Sequence, residues 1–411
     1  MWNRSARARS PRSATPVRPR RTRLRGLPAV LETLEERCLL TITPVHVPTW
    51  VEQGPASIDN GQVEGLANTA VAGAVAGVAV GGGTRMYLAS VSGGIWRSED
   101  YTLGQPAWAP KSVGLSRLAL SALTVVPGAT ADVVYAGTGS VSSGGYGRSG
   151  IGIYRSTNSG EDWDLLGFSA FRSLTIHNIL PTSFGSGATQ TLLVSATGGE
   201  SGSDGGVFRS DDAGANWVKL SGATGTDALA AGDVTELVAG ANFVGADGAT
   251  RATFYAAIAG VFDSDGDGQP ETLLDTLRFN KGVYRGELNL TTGALAWTAL
   301  PVNTSLIDLI SQIRTVNLRL AVHQSSGTEV LYAGFVASDA ALEENALAGL
   351  VYSTDRGATW AEMPLPGTME LPPKAAAPQF IGIHPGGQGE THFSIVADPN
   401  DSNVVYVGGD R

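Results

Sequence analysis

Gly152-Ile-Tyr-Arg-Ser-Thr-Asn-Ser-Gly-Glu-Asp-Trp163 returns in the same register as Gly206-Val-Phe-Arg-Ser-Asp-Asp-Ala-Gly-Ala-Asn-Trp217 and as Gly349-Leu-Val-Tyr-Ser-Thr-Asp-Arg-Gly-Ala-Thr-Trp360. Each copy reads as a strand of alternating large residues, a tight polar turn, and a tryptophan that opens the next strand. The turn chemistry is explicit. Ser156, Ser210 and Ser353 precede it; Asn158, Asp212 and Asp355 can accept hydrogen bonds from the turn's own amides. Gly160, Gly214 and Gly357 can take positive φ, and Trp163, Trp217 and Trp360 can cover the base of the hairpin.

The pattern S-x-D/N-x-G-x-x-W resembles the Asp-box (BNR) repeat of β-propellers. That resemblance implies an all-β fold built from four-stranded blades. The rest of the chain repeats accordingly. Unit one runs from Val71 through Met86–Ser90 and Gly94–Ser98 to Trp108. Unit two takes Leu118–Val126, Val133–Gly137, Ile151–Ser156 and Trp163, and unit three takes Leu174–Leu180, Leu192–Ala196, Val207–Ser210 and Trp217. Unit four has Val234–Ala239, Thr253–Ile258, Val283–Gly286 and Trp297, with a turn that lacks the box carboxylate. Unit five has Leu318–Val322, Val330–Gly334, Leu350–Ser353 and Trp360; unit six has Phe393–Ala397 and Val404–Gly408. The spacing of Trp108, Trp163 and Trp217 supports this register. Trp50–Gly54 reads as a further fourth strand, of the kind that closes a ring by completing the last blade. Because unit six shows only two strands, the chain reads as a fragment, the other possibility being a six-bladed ring with an incomplete last blade. The apolar run Val71–Val80 reads as a buried inner strand.

Charge divides the chain at about residue 41. Residues 1–41 hold ten arginines against Glu32, Glu35 and Glu36, a net of +7 in a chain whose formal net charge is −10. The acidic body argues against nucleic-acid binding, which needs a basic face. The basic tail ends in Leu31-Glu-Thr-Leu-Glu-Glu-Arg-Cys-Leu-Leu40, which is similar to the LEPR-XLL-type segment of large exported bacterial surface proteins, with Glu36 where proline is usual. The resemblance implies export, to the cell surface or beyond. The domain reading is therefore a targeting segment over 1–41 and a propeller over 42–411. Cys38 is the single cysteine, so no intramolecular disulfide forms. No stretch approaches the ~20 apolar residues of a membrane helix. The propeller reads as a monomeric module of a larger chain.

One insertion carries metal chemistry. Asp263-Ser-Asp-Gly-Asp-Gly268 places Asp263, Asp265 and Asp267 at alternate positions of a tight loop, a spacing that converges hard oxygen ligands on Ca²⁺. It resembles the first half of an EF-hand or dockerin loop, which implies further ligands from Gln269 and Glu271. Leu274 stands where the bidentate glutamate belongs, with Asp275 adjacent, so a weak site is expected.

Catalytic constellations are incomplete. Asp-box propellers include sialidases and xyloglucan-active glycoside hydrolases. The arginine-containing N-terminal motif of sialidases has no match. The xyloglucan-type enzymes carry Tyr-x-x-Thr-Asp-x-Gly-Gly in unit one with a catalytic aspartate, whereas this chain has Tyr87-Leu-Ala-Ser-Val-Ser-Gly-Gly94. Val91 at the acid's position can neither transfer a proton nor stabilise an oxocarbenium ion. His384 and His392 read as loop histidines, with a metal pair as the alternative, and Ser140–Gly150 reads as a Gly/Ser connector. Arg97, Arg155 and Arg209 recur before the box serines and read as exposed partners of blade-edge salt bridges. The functional expectation is a binding or adhesion module for a glycan or protein of the sortilin/BNR type; the alternative is a carbohydrate-active enzyme on the same fold.

Overall fold

A computed structural model of the chain describes residues 54–55, 58–63, 66–71, 74–139, 150–198, 205–259, 282–301, 314–325, 327–338, 345–370 and 377–409. The chain divides into residues 1–50 and 51–411, and all the described residues lie in the second part. The targeting segment, Trp50, most of the loop Ser140–Gly150 and the Asp263–Asp275 insertion lie outside the described residues.

A hairpin of β1 (Ile58–Val63) and β2 (Leu66–Val71) comes first. Five blades follow, each a meander in which neighbouring strands are antiparallel. Blade one is β3 (Val75–Val80), β4 (Met86–Ser90), β5 (Gly94–Ser98) and β6 (Trp108–Pro110). Blade two is β7 (Leu120–Val126), β8 (Val133–Thr138), β9 (Ile153–Ser156) and β10 (Asp164–Leu166). Blade three is β11 (Thr175–Pro181), β12 (Leu192–Thr197), β13 (Gly206–Ser210) and β14 (Val218–Lys219). Blade four has β15 (Asp233–Ala239), β17 (Thr250–Ala259), β18 (Gly282–Asn289) and β19 (Leu295–Ala299), with the short β16 (Phe243–Val244) added to β17. Blade five is β20 (Arg314–Ser325), β21 (Thr328–Ser338), β22 (Ala346–Ser353) and β23 (Ala361–Glu362). A hairpin of β24 (Gly367–Glu370) and β25 (Gln379–Gly382) leads to a two-stranded sheet of β26 (Ser394–Ala397) and β27 (Val405–Gly408).

The first strands of successive sheets, β3, β7, β11, β15, β20 and β26, touch one another in chain order. This is a β-propeller. Its apolar cores lie between blades rather than at a common centre. Ala89, Ile95, Leu120 and Tyr154 join blades one and two; Tyr135, Ile153, Ile176 and Phe208 join two and three. Leu193, Val207, Leu237 and Phe254 join three and four, and Tyr255, Val283, Leu320 and Leu331 join four and five. Ala321, Val330, Tyr332 and Ala397 join five to the last sheet. A sheet with two apolar faces buries both only if a neighbour stands on each side.

The tryptophans keep one register. The residue after each pairs with the residue before the box serine or its equivalent: Ala109 with Arg97, Asp164 with Arg155, Val218 with Arg209, Thr298 with Arg285 and Ala361 with Tyr352. The arginines at this position are not the exposed groups that the sequence suggested. The Arg97 and Arg209 side chains are each 10% exposed. They do form ion pairs, Arg97 with Glu99 and Glu161 and Arg209 with Asp211 and Asp227. Each also reaches a backbone carbonyl in the outer turn of the following blade. Arg97 donates to Ser159 O, Arg209 to Gly293 O at 2.8 Å and Arg285 to Arg356 O at 3.0 Å. All three acceptor residues have positive φ, which turns their carbonyls outward toward the previous blade.

Second-strand tyrosines tie the blades as well. The Tyr87 hydroxyl donates to Asp132 Oδ2 at 2.7 Å, Tyr255 to Glu329, and Tyr332 to the Ser402 carbonyl, each in the following sheet or its turn. Asp132 is fully buried. Burial alone would raise its pKa, but hydrogen bonds from Arg85, the Gly128 and Gly82 amides and Tyr87 outweigh that and hold the carboxyl well below the usual range. The same burial, with the Asp132 contact, pushes the Tyr87 phenol up to about 12.

The run Val71–Val80 departs from expectation. Val71 ends β2, and β3 starts only at Val75, with Val75, Val78 and Val80 exposed by 52%, 57% and 48%. One face of β3 packs on blade two through Gly77 and Leu123; the other has no blade against it among the described residues. His384 is buried at 1% exposure, with its ring edge-on to Phe393 at 5.7 Å, so it is a core residue rather than half of a loop pair.

The glycine that closes the Val-Tyr-Ala-Gly strand sets the blade spacing. A Cβ at Gly137 would stand 2.7 Å from Ile176 Cγ2, in the first strand of the next blade. Gly137→Val is therefore expected to destabilise the fold by about 1–3 kcal/mol through overpacking. At Gly382 a Cβ meets nothing, so Gly382→Ala should stay within ~0.5 kcal/mol of the parent. Urea unfolding of the two variants checks both values.

Candidate functional site

The three repeated turns share a single hydrogen-bond scheme. In the first, the Ser156 hydroxyl donates to Asn158 Oδ1 at 2.9 Å while its oxygen accepts from the Gly160 amide at 2.8 Å. Asn158 Oδ1 also accepts from the Asp162 amide at 2.9 Å. The Ser210–Asp212–Gly214–Asn216 and Ser353–Asp355–Gly357–Thr359 sets repeat all three bonds at 2.8 Å. The two-residue left-handed step puts Ser159, Ala213 and Arg356 at φ near 60° ahead of the glycines. The non-glycine half of that step has no sequence signature, since serine, alanine and arginine occupy it. Trp163 and Trp217 donate through Nε1 to Gly160 O and Gly214 O at 3.1 and 2.9 Å, pinning each ring to its own turn. Side chains here satisfy turn amides and one another, which braces each hairpin.

The concave site lies on the propeller axis. A cavity of about 480 Å³ is lined by residues from blades one to five and the last sheet. No local sequence pattern announces it, because its position depends on a backbone irregularity. Each first strand of the five blades carries a bulge at the same place, with the register slipping past Ala76, Ser121, His177, Thr235 and Val316. A bulge adds one residue to one strand and re-aims the side chains around it. Ala76, Ser121 and His177 thereby line the cavity, with Asn178 and Glu236 directly following bulges. The available signal was a polar residue at a fixed offset in otherwise apolar first strands: Leu120-Ser121, Ile176-His-Asn178, Val234-Thr-Glu236.

The polar wall is continuous across three blades. Asn178 donates through Nδ2 to Glu236, and its Oδ1 accepts from the Ser195 hydroxyl at 2.8 Å and the Leu237 amide at 2.9 Å. Arg319 donates through Nη1 to Glu236 Oε2 at 3.1 Å and to the Thr235 carbonyl at 3.0 Å. Both partners of this ion pair are largely buried, at 17% and 13% exposure. His177 Nε2 lies 3.0 Å from Thr197 Oγ1. Burial first, and then the positive charge of Arg319, push its pKa down to about 3, so the ring is neutral at physiological pH. Val75, Val91, Phe393 and Ile395 supply an apolar wall, and His392 joins the lining. Val91, the residue at the acid position of the resemblance, thus sits in the cavity.

Among the described residues no three of His, Cys, Asp and Glu group as a metal site. The Asp263–Asp275 loop lies outside them. Among the described residues no helix is long and apolar enough to cross a membrane.

No protein-family model matches the chain, and no curated protein matches it. Among solved structures it is similar to the Niastella koreensis GH74 enzyme, at 17% identity over 70% of this chain and 38% of that one, with a TM-score of 0.37. It is similar also to an ancestral GH74 enzyme, at 13% identity over 75% and 37% with a TM-score of 0.44. A PL25 ulvan lyase shows 13% identity over 76% and 74%, with a TM-score of 0.36. These are β-propeller proteins, and the likeness concerns fold alone. The chain spans well under half the length of the two GH74 enzymes.

The turn carboxylates respond to acid in a defined window. Asp355 is held at about 2, against an ordinary 3.8, by the Thr359 hydroxyl and amide and by the Ser353 hydroxyl. Its folded pKa lies below the unfolded one, so its contribution is complete above 3.8 and lost as pH falls toward 2. The stability difference between the parent and Asp355→Asn should be constant from about pH 6 to about pH 4 and shrink below that. Urea unfolding across that range measures it, and a difference independent of pH would contradict the assignment.

Proposed function

We propose that this chain is an exported, Asp-box β-propeller of the sortilin/BNR type that binds a glycan or protein ligand over its axial cavity. The observation that carries the reading is the cavity's composition. A polar wall of Asn178, Glu236, Arg319 and His177 faces an apolar one, a lining suited to orienting a ligand. Glu236 is the one carboxylate among the described lining residues, and it is engaged by Arg319 and Asn178. Val91 occupies the place where the resemblance would put a catalytic acid. Two-carboxylate glycoside hydrolysis needs a second acid facing the first, so this lining favours binding over turnover.

Export rests on the Arg-rich segment 1–41, and the propeller is read over 42–411. The acidic body supports a ligand that is not nucleic acid. The loop of Asp263, Asp265, Asp267, Gln269, Glu271 and Asp275 is proposed as a weak Ca²⁺ site, with affinity on the order of 0.1–1 mM. Calorimetric titration with Ca²⁺ should give saturable heat that Asp265→Ala abolishes.

A glycan array probed with the full chain, alongside hydrolysis assays on plant and sialylated polysaccharides, tests the main reading. Retention without released sugar is expected, weakened about tenfold or more (~1.4 kcal/mol) by His177→Ala and by Glu236→Gln. Released reducing sugar would replace the binding reading with that of a carbohydrate-active enzyme.

A further inference from the structure

The polar wall of the axial cavity comes from β11, β15 and β20. Each of these strands touches a first strand on either side, so described neighbours set the geometry of the wall. Its charges are already matched. Arg319 is the one arginine or lysine among the described lining residues and Glu236 the one carboxylate, and they pair with each other at 3.1 Å. His177 adds no charge, because its ring is neutral. A carboxylate, sulfate or phosphate entering here meets Glu236 as a like charge while Arg319 is already committed. An ammonium group meets Arg319 in the same way. Either leaves a largely desolvated charge without a partner of its own, which costs far more than an unpaired dipole.

What the wall does offer is donors and acceptors in alternation. Glu236 accepts from Asn178 at one oxygen and from Arg319 at the other, and each oxygen has a lone pair left for a second bond. Asn178 Nδ2 has a second hydrogen, and Arg319 has N–H groups beyond the two bonds that its Nη1 makes. The neutral His177 ring carries one donor and one acceptor nitrogen, of which Nε2 is set against Thr197 Oγ1. A hydroxyl both donates and accepts, so it satisfies such a wall without adding charge. The volume of about 480 Å³ lies within the ~300–1,000 Å³ of small-molecule sites, which suits a short stretch of glycan. We infer, on the reading that the axial cavity binds a ligand, that its occupant is an uncharged sugar whose hydroxyls bridge Glu236 to Asn178, Arg319 and His177. Acidic sugars and charged peptide groups are excluded.

Calorimetry on the full chain tests this with neutral gluco-, galacto- and manno-oligosaccharides, each beside its uronate form, and with lactose beside sialyllactose. At least one neutral sugar should bind saturably, and at least about tenfold tighter than its acidic counterpart. Raising salt from about 50 to about 500 mM should change that affinity by less than about twofold, because no net charge is engaged. Glu236→Gln leaves the Arg319 charge unmatched and should bring the acidic form level with the neutral one or ahead of it, a reversal that lost packing alone does not produce. An unchanged preference in Glu236→Gln overturns the inference; should that variant not fold, the preference of the parent chain decides. An acidic sugar bound by the parent as tightly as its neutral counterpart, or a hexapeptide pool bound where no neutral sugar is, overturns the inference but leaves the axial-binding reading in place, provided that His177→Ala weakens the binding. Heat from none of these probes, or binding that His177→Ala leaves untouched, removes the reading and the inference together.

Discussion

The structure depends on one constraint: a four-stranded sheet with two apolar faces needs a neighbour on both. Every apolar cluster among the described residues lies between successive sheets, so each blade is stable only in company. Hydrophobic contact is non-directional and would allow blades to slide. Directional bonds remove that freedom. The third-strand arginines reach carbonyls in the next blade's turn, and the second-strand tyrosines reach the next blade's first hairpin. The turn carbonyls are available because their residues take positive φ, a conformation held by the box hydrogen bonds at Ser159 and Arg356 and by the Asn289 turn at Gly293.

The repeated box is therefore less a site than a fastening. Its side chains bond within the turn, its glycine allows the second left-handed step, and its tryptophan stands at one register position in five blades. Blade four shows the limit of substitution. There Asn289 caps the turn through Oδ1 to the Thr291 and Thr292 amides, and Gly293 supplies the positive φ and the carbonyl that Arg209 uses. A different turn thus meets the same interblade requirement.

Polar groups from separate blades gather at the axis, where the first strands of the five blades carry aligned bulges. Glu236 engages both Asn178 and Arg319, which fixes the geometry of this polar wall. Half-buried His177 is neutral, so the only formal charges in this network are the paired ones of Glu236 and Arg319.

Much of this was legible in the residues alone. Strand count, blade order, the box turns and the tryptophan register follow from local patterns, because alternation, turn chemistry and ring burial act over a dozen residues or fewer. The arginines before the box were visible, but their role was not, since their acceptors lie 62 to 84 positions away in another blade. The apolar Val71–Val80 run misled because composition reports what a strand can bury, whereas only its neighbours decide whether it does so. The same reason hid the axial cavity. A bulge is one residue of slippage against a partner strand, and exposure is a property of the assembled blades, so neither is written in the segment that displays it.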